Sequence, residues 1–366
     1  MRGLDRLQRL DLAPGVHTGH ACMKILVTGH EGYLGCDLVP RLMRLGHFVR
    51  GMDAGYFTQC AYFPVEGPHE VVRKDIREAR VEDLQGFEVV IHLAALSNDP
   101  LGDFDPELTN EINHYATVRL ALLAREAGVR RFIFSSSCSA YGAAGEDWAH
   151  ECYPVNPVTP YGMSKVRAEM NLARLATDDF CPVSLRNATV YGVSARMRFD
   201  LVLNNLVAWA YTTGKVFLKS DGSAWRPLVH VEDVSRAFIA FLEMEASLIR
   251  GEAFNVGRSA ENFRVRDLAQ LVQDELPGCA FVYGPEAGRD PRNYRVSFAR
   301  IEREIPCFQP KWTVAGGVRE LLATFRENGL KADDFEGPRY LRLAHLKARM
   351  ARGELDHKLR LKNKES

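Results

Sequence analysis

The stretch "KILVTGHEGYLG" (24–35) constrains the fold more than any other. A short run of β-formers ends in Gly29, and Gly32 and Gly35 follow at even spacing. An apolar-periodic helix is expected next, through Leu34, Leu38, Val39, Leu42 and Leu45, ending at Gly46. "HFVRGMD" (47–53) then reads as a second strand. Strand, glycine loop, helix and strand make one βαβ unit. Glycines cost backbone entropy, so three together need a reason. A bare strand-to-helix turn lets a pyrophosphate approach the backbone and aims the helix N-terminus at that anion. The spacing is GxxGxxG rather than GxGxxG, so the loop alone also fits a plain tight turn.

The alternation continues. "VVIHLAA" (89–95), "RFIFSSS" (131–137) and "CPVSLRNATVYG" (181–192) read as strands. "NEINHYATVRLALLAREAG" (110–128) and "SKVRAEMNLARLAT" (164–177) read as helices. This implies an α/β fold of Rossmann type, a doubly wound parallel sheet covered on both faces, with a smaller C-terminal α/β substrate lobe. Residues 23–190 are expected to form the sheet domain, with 231–257 returning to it. The rhythm breaks after Val190, so 191–230 and 258–340 are assigned to the lobe. Residues 1–22 carry Asp5 and Asp11 and lack an apolar h-region, which fits a disordered leader rather than a secretory signal. Residues 341–366 are expected to be a basic, solvated helical tail.

Composition narrows the function classes. The formal net charge is zero, which gives no global electrostatic footprint for nucleic acid or an anionic membrane. No apolar stretch is long enough to cross a bilayer. The eight cysteines are scattered without a CxxC pair, so free thiols and a cytoplasmic setting are expected. No metal-ligand spacing occurs, and no metal is expected.

Three further features carry chemistry. Asp53 ends the second strand, where a carboxylate accepts from adenosine ribose hydroxyls and repels a 2′-phosphate, favouring NAD over NADP. The plainer alternative is a turn residue before Ala54-Gly55. Asp75 and Ile76 are placed to flank adenine. In "PYGMSK" (160–165), Tyr161 and Lys165 stand four apart, on one face of a helix. An ammonium beside a phenol favours the phenolate and is expected to bring its pKa from about 10 toward neutrality, making a general base. The serines of "FIFSSSCSAYG" (132–142) end a strand where open α/β sheets bind ligands. The alternative readings are a surface Tyr-Lys pair and hydroxyls that satisfy a loop.

With these motifs in this order, the chain resembles the extended short-chain dehydrogenase/reductase family, the NAD-dependent epimerase/dehydratases of nucleotide sugars. The likeness spans about residues 23–335 through "TGHEGYLG", "HLAA", "FSSSCSAYG", "YGMSK", "VYG", "NNL" (204–206) and "RPLVHVEDV" (226–234). It implies that Gly29, Gly32, Tyr33, Leu34 and Gly35 hold the pyrophosphate of NAD. Asp53 then holds ribose, and Leu93, Ala94, Ala95 and Asn113 belong to the dinucleotide groove. It implies a catalytic trio of Ser137, Tyr161 and Lys165, with Lys165 also touching the nicotinamide ribose. It places a nucleotide-diphosphate sugar against Ser137, Asn204, Asn205, Leu206, Arg226 and Arg292, and it implies a homodimer. Two positions depart from the pattern. Cys138-Ser139 stand where dehydratases carry an Asp-Glu acid pair, which speaks against elimination. Thr189 replaces an asparagine of "LRxxNVYG". The implied activity is epimerisation through a transient keto sugar, formed by oxidation at C4 by tightly bound NAD. The alternatives are a ketosugar reductase with net hydride transfer and a non-catalytic NAD-binding sensor.

Overall fold

The computed structural model describes residues 22–285 and 287–362. The expected leader therefore lies, Cys22 apart, outside the described residues. Seven strands form one sheet: β1 (Lys24–Thr28), β2 (Phe48–Asp53), β3 (Glu70–Arg73), β4 (Val89–His92), β5 (Arg131–Ser137), β6 (Cys181–Asn187) and β7 (Ala253–Val256). Their order is β7-β6-β5-β4-β1-β2-β3, and every neighbouring pair is parallel. The order reverses direction between β1 and β4, which opens a crevice at the strands' C-terminal ends.

Strand pleating explains the burial. Ile25 and Val27 point to one face and Leu26 to the other, and all three are fully buried. The first face packs on α1 (Gly35–Arg44) through Leu38, Val39 and Leu42. The second packs on α2 (Ala116–Glu126) and α3 (Pro160–Arg174) through Leu120, Ala124, Ala168 and Leu172. The helix expected over 110–128 is interrupted: Glu111–Tyr115 form a π-helical turn. A third cluster of buried apolar side chains builds the lobe, from α4 (Val202–Thr213) with Leu203 and Val207, through Leu268 and Val272, to Leu321 and Phe325. Between them α5 (Val231–Glu243) returns to the α1 face, where Ser235 donates to Asp37 at 2.6 Å.

The tail differs from the expectation. Helix α6 (Arg342–Ala351) is not solvated. Leu346, Leu355 and Leu359 are buried in the α2/α3-side core. Of the tail's basic residues, Lys347, Arg352 and Lys358 are exposed, whereas Arg342 is buried.

Candidate active site

The crevice at the strand ends opens into a cleft of about 630 Å³ between sheet and lobe. One end is the glycine loop. Gly29 has φ +72°, and a Cβ there would stand 2.6 Å from the Ala94 nitrogen. A Cβ on Gly35 would meet the Gly29 carbonyl oxygen at 2.6 Å. The loop is thus closed against the segment after β4 and against itself, and only glycine fits both positions. In the first turn of α1, Cys36 N donates to Gly32 O at 3.0 Å and Asp37 N to Leu34 O at 3.1 Å, and the positive end of the helix dipole lies at this end. Gly32, Tyr33, Leu34, Leu93, Ala94 and Ala95 line the same wall. The Tyr33 side chain is a pillar: its hydroxyl donates to Gly192 O at 2.6 Å, and burial raises its pKa.

Asp53 lines the cleft at the end of β2. Its two oxygens accept from Glu31 N at 3.1 Å and Gly55 N at 2.8 Å, and burial pushes its carboxyl up. Asp75 and Ile76 also line this end. Burial works against the Asp75 charge, but the Arg77 guanidinium at 2.7 Å holds the carboxyl below its ordinary value.

Ser137, Tyr161 and Lys165 converge on the opposite part of the cleft. Ser137 ends β5, and its hydroxyl accepts from Ser139 N at 3.1 Å. Thr159 caps α3, accepting from Gly162 N, and this sets the phase that turns Tyr161 and Lys165 inward. Lys165 donates to the Ser135 carbonyl at 2.8 Å and lies 4.6 Å from the Phe134 ring centre and 5.8 Å from that of Tyr161. Burial pushes its pKa down to about 7, with Glu169 one turn on acting the other way. Here the expectation of a phenolate near neutrality is corrected. Burial pushes Tyr161 up to about 12; Asp99 adds to the rise, while Ser137 and Arg198 oppose it. The ammonium is spent on a backbone carbonyl and a phenyl ring.

Two more assignments change. Asn113 does not line the cleft. Its amide accepts from Leu96 N at 2.8 Å and donates to Leu96 O at 3.0 Å, so the π-turn that buries it uses it to pin the loop after β4. Asn204 is also fully buried. It accepts from Gly192 N and donates to Arg198 O and the Tyr33 hydroxyl, holding the lobe to the glycine loop rather than facing a ligand. Asn205 and Leu206 do line the cleft, as do Arg226 and Arg292. Both arginines are already engaged: each binds Asp290 at 2.7 Å, and Arg292 also pairs with Asp99.

Sequence reasoning missed two buried arginines in the cleft. Arg198 chelates Asp200 at 2.9 and 3.0 Å and donates to Ser97 O. The arginine-rich "SARMRFD" (194–200) was the available signal. Arg342, from the tail, gave none. Among the described residues no group of three or more His, Cys, Asp or Glu is placed to hold a metal ion. No helix among them is long and apolar enough to cross a membrane.

Comparison with known proteins places the chain in a family and a fold. The model of the NAD dependent epimerase/dehydratase family matches residues 25–257. UDP-glucose 4-epimerase of Mycolicibacterium smegmatis is 33% identical over 321 residues, covering 83% of this chain and 99% of that protein. UDP-glucuronic acid decarboxylase 1 of Arabidopsis thaliana is 25% identical, covering 88% of this chain and 74% of that one. Among solved structures, MoeE5 in complex with UDP-glucose and NAD is similar with a TM-score of 0.71 at 27% identity, over 84% of this chain and all of that one.

Proposed function

The chain belongs to the NAD-dependent epimerase/dehydratase family, and from that premise we propose that it is an NAD-dependent nucleotide-sugar epimerase working through a transient keto sugar. The observation that carries the reading is one cleft with a glycine-walled anion cradle at one end and Ser137, Tyr161 and Lys165 at the other. The residues present fit the cofactor: a Cβ would fill the cradle at Gly29 and Gly35, and Asp53 offers a carboxylate where ribose hydroxyls would lie and a 2′-phosphate would not.

When bound, NAD supplies the hydride acceptor and a positive nicotinamide ring, a charge that favours the phenolate of a buried tyrosine beside it. Tyr161 takes the proton of a sugar hydroxyl, at C4 in this proposal. Ser137 holds the same oxygen. Lys165, fixed by Ser135 O, supports the phenolate and the nicotinamide ribose. Asn205, Leu206, Arg226 and Arg292 receive the nucleotide diphosphate, with the arginines exchanging carboxylate partners for phosphate. Turning the keto sugar before the hydride returns inverts the carbon with no net cofactor change. Elimination is disfavoured. Cys138 is buried and donates to Arg186 O at 3.1 Å, and burial raises its pKa, so it cannot serve as the acid a dehydratase needs.

A homodimer and a cytoplasmic setting belong to the same proposal. The exposed Tyr115, Leu122, Met163 and Met170 beside and along α2 and α3 support the first, and the free thiols support the second. Tyr161→Phe tests the function: it should keep NAD binding and lose turnover. Retained turnover would remove Tyr161 from the chemistry, and a signalling output untouched by the variant would favour a sensor.

A further inference from the structure

Arg342 opens helix α6, outside the residues matched by the family model. The tail around it straps the loop that follows Asp53. Arg349 donates to Gly55 O at 2.9 Å and Tyr56 O at 2.8 Å, and Tyr56 donates to Leu359 O at 2.7 Å. Arg342 itself is only 4% exposed yet lines the cleft. Its guanidinium stacks 4.2 Å from the Phe57 ring centre, and Nη2 donates to Arg196 O at 3.3 Å. Nη1 is buried with no hydrogen-bond partner. Among the described residues no carboxylate pairs with it, whereas Arg198, Arg226 and Arg292 in the same cleft each have one. Its charge is felt by Cys36, in the first turn of α1; burial and then Arg198 push its own pKa down to about 10, against the opposing pull of Asp200, whose carboxylate is chelated by Arg198.

A buried guanidinium without an ion-pair partner is costly unless an anion arrives. An anion that reaches Nη1 must come from the cleft, which Gly35 at the start of α1 also lines. We propose that Arg342, delivered by the C-terminal strap, binds the pyrophosphate of the dinucleotide and closes the cofactor site opposite the glycine loop. This rests on the reading that the cleft holds NAD. The cofactor's diphosphate is favoured over the substrate's because Arg342 stacks on Phe57, in the loop just after the ribose-side Asp53, and neighbours α1. The substrate end has its own arginines, 226 and 292.

The test is calorimetric titration of cofactor-stripped full-length protein with NAD and, separately, with adenosine, which lacks the pyrophosphate. Arg342→Met should weaken NAD about 10- to 100-fold, as expected for loss of a charge-assisted phosphate contact, and leave adenosine unchanged. The cofactor-free melting temperature should hold or rise, because an unpaired buried charge has gone. Lys347→Ala, on the exposed side of the same helix, should change neither affinity. Unchanged NAD binding would overturn the proposal. So would equal losses for NAD and adenosine, which mark a merely structural role. A raised KM for nucleotide sugar at constant NAD affinity would overturn it in favour of the substrate diphosphate. If Arg342→Met does not fold, Arg342→Lys decides: it keeps the charge but loses the planar fork, so NAD should weaken several-fold and adenosine not at all. Equal effects on both, or none, would overturn the proposal. A wild type that binds adenosine but not NAD would instead sink the functional reading on which this one stands.

Discussion

Replacing Lys165 by methionine should make the protein more stable while abolishing its chemistry. Lys165 is 2% exposed and its pKa is pushed from 10.5 to about 7 by burial. Each pKa unit corresponds to 1.36 kcal/mol, so burying this ammonium costs about 4 kcal/mol at pH 7. The contacts that methionine loses offset part of this: about 1 kcal/mol for the hydrogen bond to Ser135 O and about 1 kcal/mol for the charge over Phe134. A net gain of about 2 kcal/mol remains. The pH dependence fixes the sign. Below about pH 7 both folded and unfolded chains hold the proton, and the folded chain bears the full cost. From there up to the unfolded value of 10.5 the unfolded chain binds a proton that the folded chain lacks, so wild-type stability rises with pH. The advantage of Lys165→Met should therefore be largest at and below neutrality and close toward 10.5. Urea denaturation of both proteins at about pH 6, 8 and 10 measures it. A variant less stable by a constant amount at every pH would refute the reasoning and show Lys165 to be charged and well paired.

Further outcomes follow from the same geometry. Gly29→Ala combines a positive φ with a Cβ 2.6 Å from the Ala94 backbone, and should lose about 1–3 kcal/mol of stability together with NAD affinity, measured by melting and titration. Arg186 grips Glu169 at 2.7 Å in the interior; Arg186→Met leaves that carboxylate unpaired and should cost about 3–5 kcal/mol, read by chemical denaturation. Asp53→Ser should narrow the preference for NAD over NADP, seen as a rise in NADP affinity, because it removes the carboxylate that repels a 2′-phosphate.

Part of this was legible in the chain. The glycine loop is readable because close backbone approach excludes every other side chain, as the contact around Gly29 shows. Tyr161 and Lys165 are readable because a four-residue spacing places both on one helix face. Asn113 and Asn204 were not. An amide serves a loop as well as a ligand, and only the fold reveals that Leu96 and Gly192 take these two. The tail was misread because its basic composition does not say what its leucines meet; Leu355 and Leu359 lie beyond the helix, where no period gives a side chain its direction. Arg198 lay in view, but in a loop, where no period gives a side chain its direction. The expectation of a phenolate near neutral pH failed for a different reason: spacing shows that an ammonium is near, not that Ser135 O and Phe134 hold it.

The central claim is a closed hydride cycle. Purified protein incubated with a panel of UDP-, GDP-, CDP- and dTDP-sugars, followed by mass spectrometry and cofactor absorbance, tests it most directly. The account predicts a product of unchanged mass and shifted retention, with no net NADH. A change of two hydrogens with stoichiometric cofactor turnover would contradict it and identify an oxidoreductase, and a loss of water would show that the missing acid pair after Ser137 does not prevent elimination.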